Sequence, residues 1–164
     1  MSVDCVTIFQ FRTNVRCMVK SLTFSLVAAI TLFAKDPVTP IYQENGIAVK
    51  GTDVVAYFTD GHPEKGLPQF SYKWMDATWQ FANAQHLELF KADPQKYAPQ
   101  YGGYCAYAVS KNETASITPK NWKIVDGKLY LNHLFAQTPW EGHIPENIEK
   151  GNNNWPGIAK TPLR

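Results

Sequence analysis

Apolar and polar positions alternate over residues 70–74 (FSYKW) and again over 78–81 (TWQF), the period-2 pattern of half-buried strands. Met75, Asp76 and Ala77 separate the two runs, which is hairpin length. A helical spacing follows: Asn83 is placed to cap a helix in which Ala84, Leu87 and Phe90 fall on one face up to about Ala92. Asp93-Pro94 then ends that helix or starts a second short one. Upstream, residues 46–51 (GIAVKG) read as a short strand closed by glycine, and Asp53 is placed to cap a turn through 54–57. Residues 59–68, with Asp-Gly, Gly and Pro signals, read as a surface loop.

Residues 101–109 (YGGYCAYAV) put paired glycines before a run with strand character, a place where backbone turns sharply or approaches something closely. The clearest hairpin lies at 122–131, where WKIV and KLYL flank Asp126-Gly127. Helical spacing returns around 134–140 and 144–150, ahead of a polar Asn152-Asn153-Asn154 stretch and Trp155-Pro156. Hairpins and helices mixed without regular βαβ alternation predict a small, single α+β domain over residues 35–164, with β-hairpins packed against short helices.

Residues 1–34 follow a different pattern. The run 22–34 (LTFSLVAAITLFA) is uncharged and mostly apolar, is preceded by Lys20 and is followed by Lys35-Asp36-Pro37. That is the shape of a secretory signal, and it falls short of the roughly 20 apolar residues a membrane span needs. Cleavage is expected near Ala34, although Leu32 is bulky for that site, and Met18 makes a more ordinary start than Met1. An uncleaved anchor or a buried helix is the alternative. The expected product is periplasmic, exported across an inner membrane, with no integral membrane association after cleavage.

Without that segment basic and acidic residues balance, and no Lys/Arg cluster gives a footprint for nucleic acid or an anionic membrane. Cys5 and Cys17 leave with it, so Cys105 stays without an internal disulfide partner.

Four blocks of sequence stand out: 51–58 (GTDVVAYF), 79–81 (WQF), 90–108 (FKADPQKYAPQYGGYCAYA) and 126–132 (DGKLYLN). Together they resemble the exported, single-domain YHS-domain proteins over about residues 46–155. The resemblance implies a hairpin–helix core of the YHS and TRASH type. It also implies metal binding through cysteines, as suspected for the YHS modules of copper-transporting ATPases and certain hydroxylases. At the three positions where those modules carry thiols this chain has Ala56, Ala82 and His86. Two methyl groups bind nothing, so the donor set is reduced.

His86 and Cys105 are the candidate metal ligands, with copper expected before zinc because thiolate suits Cu(I) and imidazole suits Cu(II) or Zn(II). No local metal spacing such as Cys-x-x-Cys or His-x-x-x-His supports them. Their ordinary alternatives are a small core residue for Cys105 and a histidine bonded to backbone or water for His86. His62, His133 and His143 read as solvated, and Met75 as too isolated for a copper site. Tyr97, Tyr101, Tyr104 and Tyr107, three or four apart around the Gly-Gly turn, are the candidate ligand-binding residues of a polar-edged pocket. Asp53 and Asp126 read as turn-fixing residues. No carboxylate pair, Ser/His/Asp set or phosphate-cradling loop can be assembled from the sequence. The expected function is therefore non-catalytic metal binding or handling. A small-ligand or protein-binding module without metal is the alternative, and a thiol enzyme using Cys105 is the least supported.

Overall fold

The structure, a computed structural model, describes residues 39–160; the segment read as a signal, with Cys5, Cys17 and Ala34, lies outside the described residues. In chain order the elements are β1 (Gln43–Glu44), β2 (Ile47–Ala48), β3 (Thr52–Asp53), α1 (Ala56–Thr59), β4 (Glu64–Lys65), β5 (Leu67–Trp74), β6 (Ala77–Phe81), α2 (Ala84–Ala92), α3 (Pro94–Tyr97), α4 (Ala106–Ser110), β7 (Trp122–Val125), β8 (Lys128–Leu131), α5 (Gln137–Glu141) and α6 (Ile144–Ile158). The class is mixed α+β. Four strands form one sheet in the order β1-β2-β6-β5, and β3–β4 and β7–β8 are separate antiparallel pairs. Only the β2–β6 contact, Ile47 against Thr78, is parallel within the four-stranded sheet. Among the described residues no helix is long and apolar enough to cross a membrane.

The pattern-based expectations hold best where a turn or cap is encoded locally. Met75 and Asp76, both at positive φ, close the β5–β6 hairpin in two residues, and Asp126-Gly127 does the same between β7 and β8. Asn83 caps α2 by accepting the His86 N–H at 2.8 Å, and Asp93 caps α3 by accepting the Lys96 N–H at 3.1 Å with Pro94 in the first turn.

Burial follows from the same spacing. Trp79 and Phe81 from β6 meet Phe90 from α2, with ring centroids 5.1 and 5.0 Å apart, and Trp74 joins them from β5. A second cluster of Tyr101, Ala106, Val109, Tyr130 and Trp140 packs against Ile144, Ile148 and Trp155 of α6.

Four expectations need correction. The strand expected over residues 46–51 covers only Ile47 and Ala48, since Val49–Gly51 form a tight 3-10 turn with positive φ at Val49 and Lys50. Residues 106–110 are helical rather than strand: Ala106 and Val109, three apart, both point into the second cluster and form one helical face. Within the span read as a loop, Glu64 and Lys65 pair with β3 as β4, and Leu67 and Pro68 belong to β5, whose pairing with β6 shifts register between Leu67 and Ser71, where a proline is tolerated. The Asn152-Asn153-Asn154 stretch continues α6, with Asn152 and Asn154 docked onto the rest of the fold. The Asn154 amide donates to the Val109 and Ser110 carbonyls at 2.9 and 3.3 Å, and Gly151 lies so close to Tyr101 that a Cβ would sit 2.5 Å from its hydroxyl.

Candidate functional site

Three places hold the residues singled out by sequence. At the first, the fully buried Asp53 collects four donors. Its Oδ1 accepts the Val55 and Ala56 N–H groups at 2.8 and 3.3 Å, and its Oδ2 accepts the Ala82 N–H and His86 Nδ1–H, each at 2.7 Å. A carboxylate only accepts, so the proton of this bond sits on Nδ1. The other ring nitrogen, Nε2, lies 3.2 Å from the Thr59 hydroxyl and 3.8 Å from Asp60 Oδ2.

This arrangement goes well beyond the turn-fixing role expected of Asp53. It also brings together the three positions at which the resemblance implies thiols, since Ala56, Ala82 and His86 all bond to that one carboxylate. A Thr59–His86–Asp53 chain of hydrogen bonds, which the sequence reading does not find, is thereby formed. The Thr59 hydroxyl has a second acceptor, the Val55 carbonyl at 3.2 Å, and so finds a partner in either ring state.

At the second place, Cys105 is 1% exposed between the start of α4 and the end of β8. Its sulfur accepts the His133 N–H at 3.3 Å and lies 3.7 Å from Asn132 Oδ1, while the same Oδ1 takes the Tyr107 N–H at 3.0 Å. A cavity of about 300 Å³ opens here, with Lys111, Glu113 and the 80% exposed Phe135 on its walls.

His86 and Cys105 have no hydrogen-bond partner in common: Asp53 and Thr59 hold the imidazole, and the end of β8 holds the thiol. Among the described residues no group of three or more His, Cys, Asp and Glu side chains is placed to hold a metal ion. His62 and His143 are exposed, each beside one glutamate, and Met75 is exposed at the β5–β6 turn.

The third place is a groove of about 550 Å³ beside the Gly-Gly turn. Four stretches meet there: Pro40 and Ile41, the β5–β6 turn with Trp74 and Met75, residues 95–102, and the last turns of α6 with Asn152 and Trp155. Gly102 makes the meeting possible. Its φ is +60°, and a Cβ on it would stand 1.9 Å from the Pro40 carbonyl oxygen. The Tyr42 N–H, bonded to the Gly102 carbonyl at 2.8 Å, fixes the approach.

In comparisons with known proteins no family model, no curated protein and no solved structure matches this chain.

Of the four tyrosines only Tyr101 lines the groove. Its buried hydroxyl faces the Ile148 carbonyl at 3.2 Å and Asn152 Oδ1 at 3.1 Å, and burial pushes its pKa up. Tyr97 is buried edge-on against Phe58, Tyr104 meets Thr39 through its hydroxyl, and Tyr107 lies on the wall of the cavity beside Cys105 and of another, of about 520 Å³, beside His143 and Asn147. The groove residues that sequence reasoning misses, Gln95, Gln100, Asn152 and Trp155, carry no local motif. The Gly-Gly pair is the signal that marks the place.

Proposed function

We propose that this chain is a non-catalytic, exported binding module of YHS type whose small organic ligand lies in the groove beside Gly102. The observation that carries the reading is the groove itself: four separate stretches of chain converge on a volume of about 550 Å³, within the roughly 300–1,000 Å³ typical of small-molecule sites. The Thr59 and His86 side chains line none of these three cavities, and the hydroxyl–imidazole–carboxylate chain finds its partners within the fold, from the Val55 carbonyl through Thr59 and His86 to Asp53. That favours a structural role for it, tying α1 to α2. The YHS likeness rests on the four sequence blocks, and export on the apolar run ahead of Lys35.

A thermal-shift screen of the full chain against small organic compounds tests the reading. A ligand of the groove raises the melting temperature by mass action, and Gln100→Ala removes that rise. Stabilisation that survives Gln100→Ala counts against the groove.

Metal handling is the second reading, and one observation favours it. Asp53 holds Nδ1 of His86 as outer carboxylates hold metal-ligating imidazoles, which leaves Nε2 directed toward Thr59 and Asp60. Imidazole plus carboxylate suits Cu(II) or Zn(II), with Cys105 outside the set. Calorimetric titration with each ion tests it: uptake abolished by His86→Ala supports the site, and uptake unchanged by that substitution removes it.

A further inference from the structure

The chemistry of the groove wall narrows what it can take. None of its lining side chains is charged. A phosphate, carboxylate or ammonium that gives up hydration there meets no counter-charge in return. The favoured ligand is neutral.

What the wall does offer is of two kinds. Trp74 and Trp155, both half-buried, supply indole surface with Met75 beside them. Gln95, Gln100 and Asn152 supply carboxamides, each a donor and an acceptor at once. Asn152 Oδ1 is taken by the Tyr101 hydroxyl, so its NH₂ is the part left for a ligand.

A pyranose matches both kinds. Its hydroxyls donate and accept, as carboxamides do, and its C–H face is the apolar partner an aromatic ring takes. A proline-rich peptide, the other occupant that suits an aromatic groove, presents mostly carbonyls, which indole and carboxamide N–H groups can meet, and few donors of its own. Here the one tyrosine hydroxyl on the wall is turned inward to Ile148 and Asn152. The carboxamide oxygens of Gln95 and Gln100 therefore find fewer donors on such a peptide than on the hydroxyls of a sugar.

We infer that the groove binds an uncharged saccharide, stacked on Trp155 or Trp74 and hydrogen-bonded by Gln95, Gln100 and Asn152. The inference rests on the groove reading above and adds the ligand class.

An array of neutral and uronic-acid-containing oligosaccharides, probed with the full chain and followed by tryptophan-fluorescence titration, tests it; a proline-rich peptide is included. The expected result is binding of a neutral oligosaccharide that weakens tenfold or more in Gln100→Ala and in Met75→Lys. The second substitution puts a charge at an exposed turn and leaves the core untouched. Binding confined to acidic saccharides or to the peptide, with the same sensitivity to Gln100→Ala, overturns the neutral-saccharide class and leaves the groove standing. Neutral-saccharide binding indifferent to both substitutions overturns the groove as well. Failure of every neutral oligosaccharide to bind overturns the inference outright.

Discussion

Asp53 and His86, 33 residues apart in the chain, meet at 2.7 Å in the interior, and the carboxylate is completely enclosed. Its other acceptor positions are filled by the N–H groups of Val55, Ala56 and Ala82. One side chain thus ties the entry of α1, the exit of β6 and the first turn of α2. Burying a lone carboxylate is costly, and this one is stable because every lone pair is satisfied.

Removing the carboxylate strands four donors at once. Asp53→Ala is therefore expected to lower stability by about 3–5 kcal/mol, the range for breaking a buried charged network. Asp53→Asn, which keeps one acceptor oxygen, is expected to cost less. Urea unfolding of the two variants checks this, and a loss under about 1 kcal/mol for the alanine variant contradicts the assigned role.

Local chemistry explains which parts of the fold were legible in the sequence. The Asp126-Gly127 turn, the Asn83 and Asp93 caps and the strand alternation at Trp79 and Phe81 are written within a few residues and formed as expected. Residues 106–110 were not legible as helix, because Tyr104-Cys105-Ala106-Tyr107-Ala108-Val109 has no charged or strongly polar position to mark a solvent face, and only the burial of Ala106 and Val109 selects the three-residue spacing. Asn152 and Asn154 look like a helix end until Tyr101 and the α4 carbonyls are there to bond them. The Asp53–His86 pair and the groove share that character. Each depends on segments far apart in sequence, and neither Thr59 nor Gln100 carries a local mark of its role.

Gly102 and Gly127 both sit at positive φ but in different surroundings. A methyl group on Gly102 collides with the Pro40 carbonyl oxygen, whereas around Gly127 nothing lies within 4 Å. Gly127→Ala is expected to cost about 1 kcal/mol, from the left-handed backbone alone. Gly102→Ala adds a steric conflict with backbone that cannot rotate away, and its cost rises by about a further 1–3 kcal/mol. Chemical denaturation of both variants measures the difference, and equal losses would mean that the Pro40–Gly102 contact is not maintained in solution.

Cys105 is enclosed, and its sulfur takes the His133 N–H. Reagents reach such a thiol only when the chain opens around it. N-ethylmaleimide is expected to modify Cys105, followed separately from Cys5 and Cys17 by peptide mass spectrometry, at least tenfold more slowly in the folded chain than in the urea-unfolded one, with a rate that rises as destabilising substitutions such as Asp53→Ala are introduced. Rapid labelling of Cys105 itself in the fully folded protein would instead mark it as an accessible, activated thiol.

The buried tyrosines set an alkaline limit to stability. Tyr57 donates its hydroxyl proton to the Pro119 carbonyl at 2.8 Å, and burial, reinforced by the nearby Asp53 charge, pushes its pKa well up. Tyr101 is raised by burial and then by Tyr130. In the unfolded chain both phenols ionise near pH 10. Above that pH the unfolded state gives up protons that the folded state retains, so it is the unfolded state that is favoured. Stability held in full below about pH 10 then declines as pH rises, by about 1.4 kcal/mol per pH unit for each tyrosine still protonated in the fold. Phenolate absorbance and melting temperature followed together above about pH 9 should show these two hydroxyls ionising only as the chain unfolds, and Tyr57→Phe should flatten the decline. Ionisation of all the tyrosines near pH 10 with the fold intact would show that Tyr57 and Tyr101 are open to water.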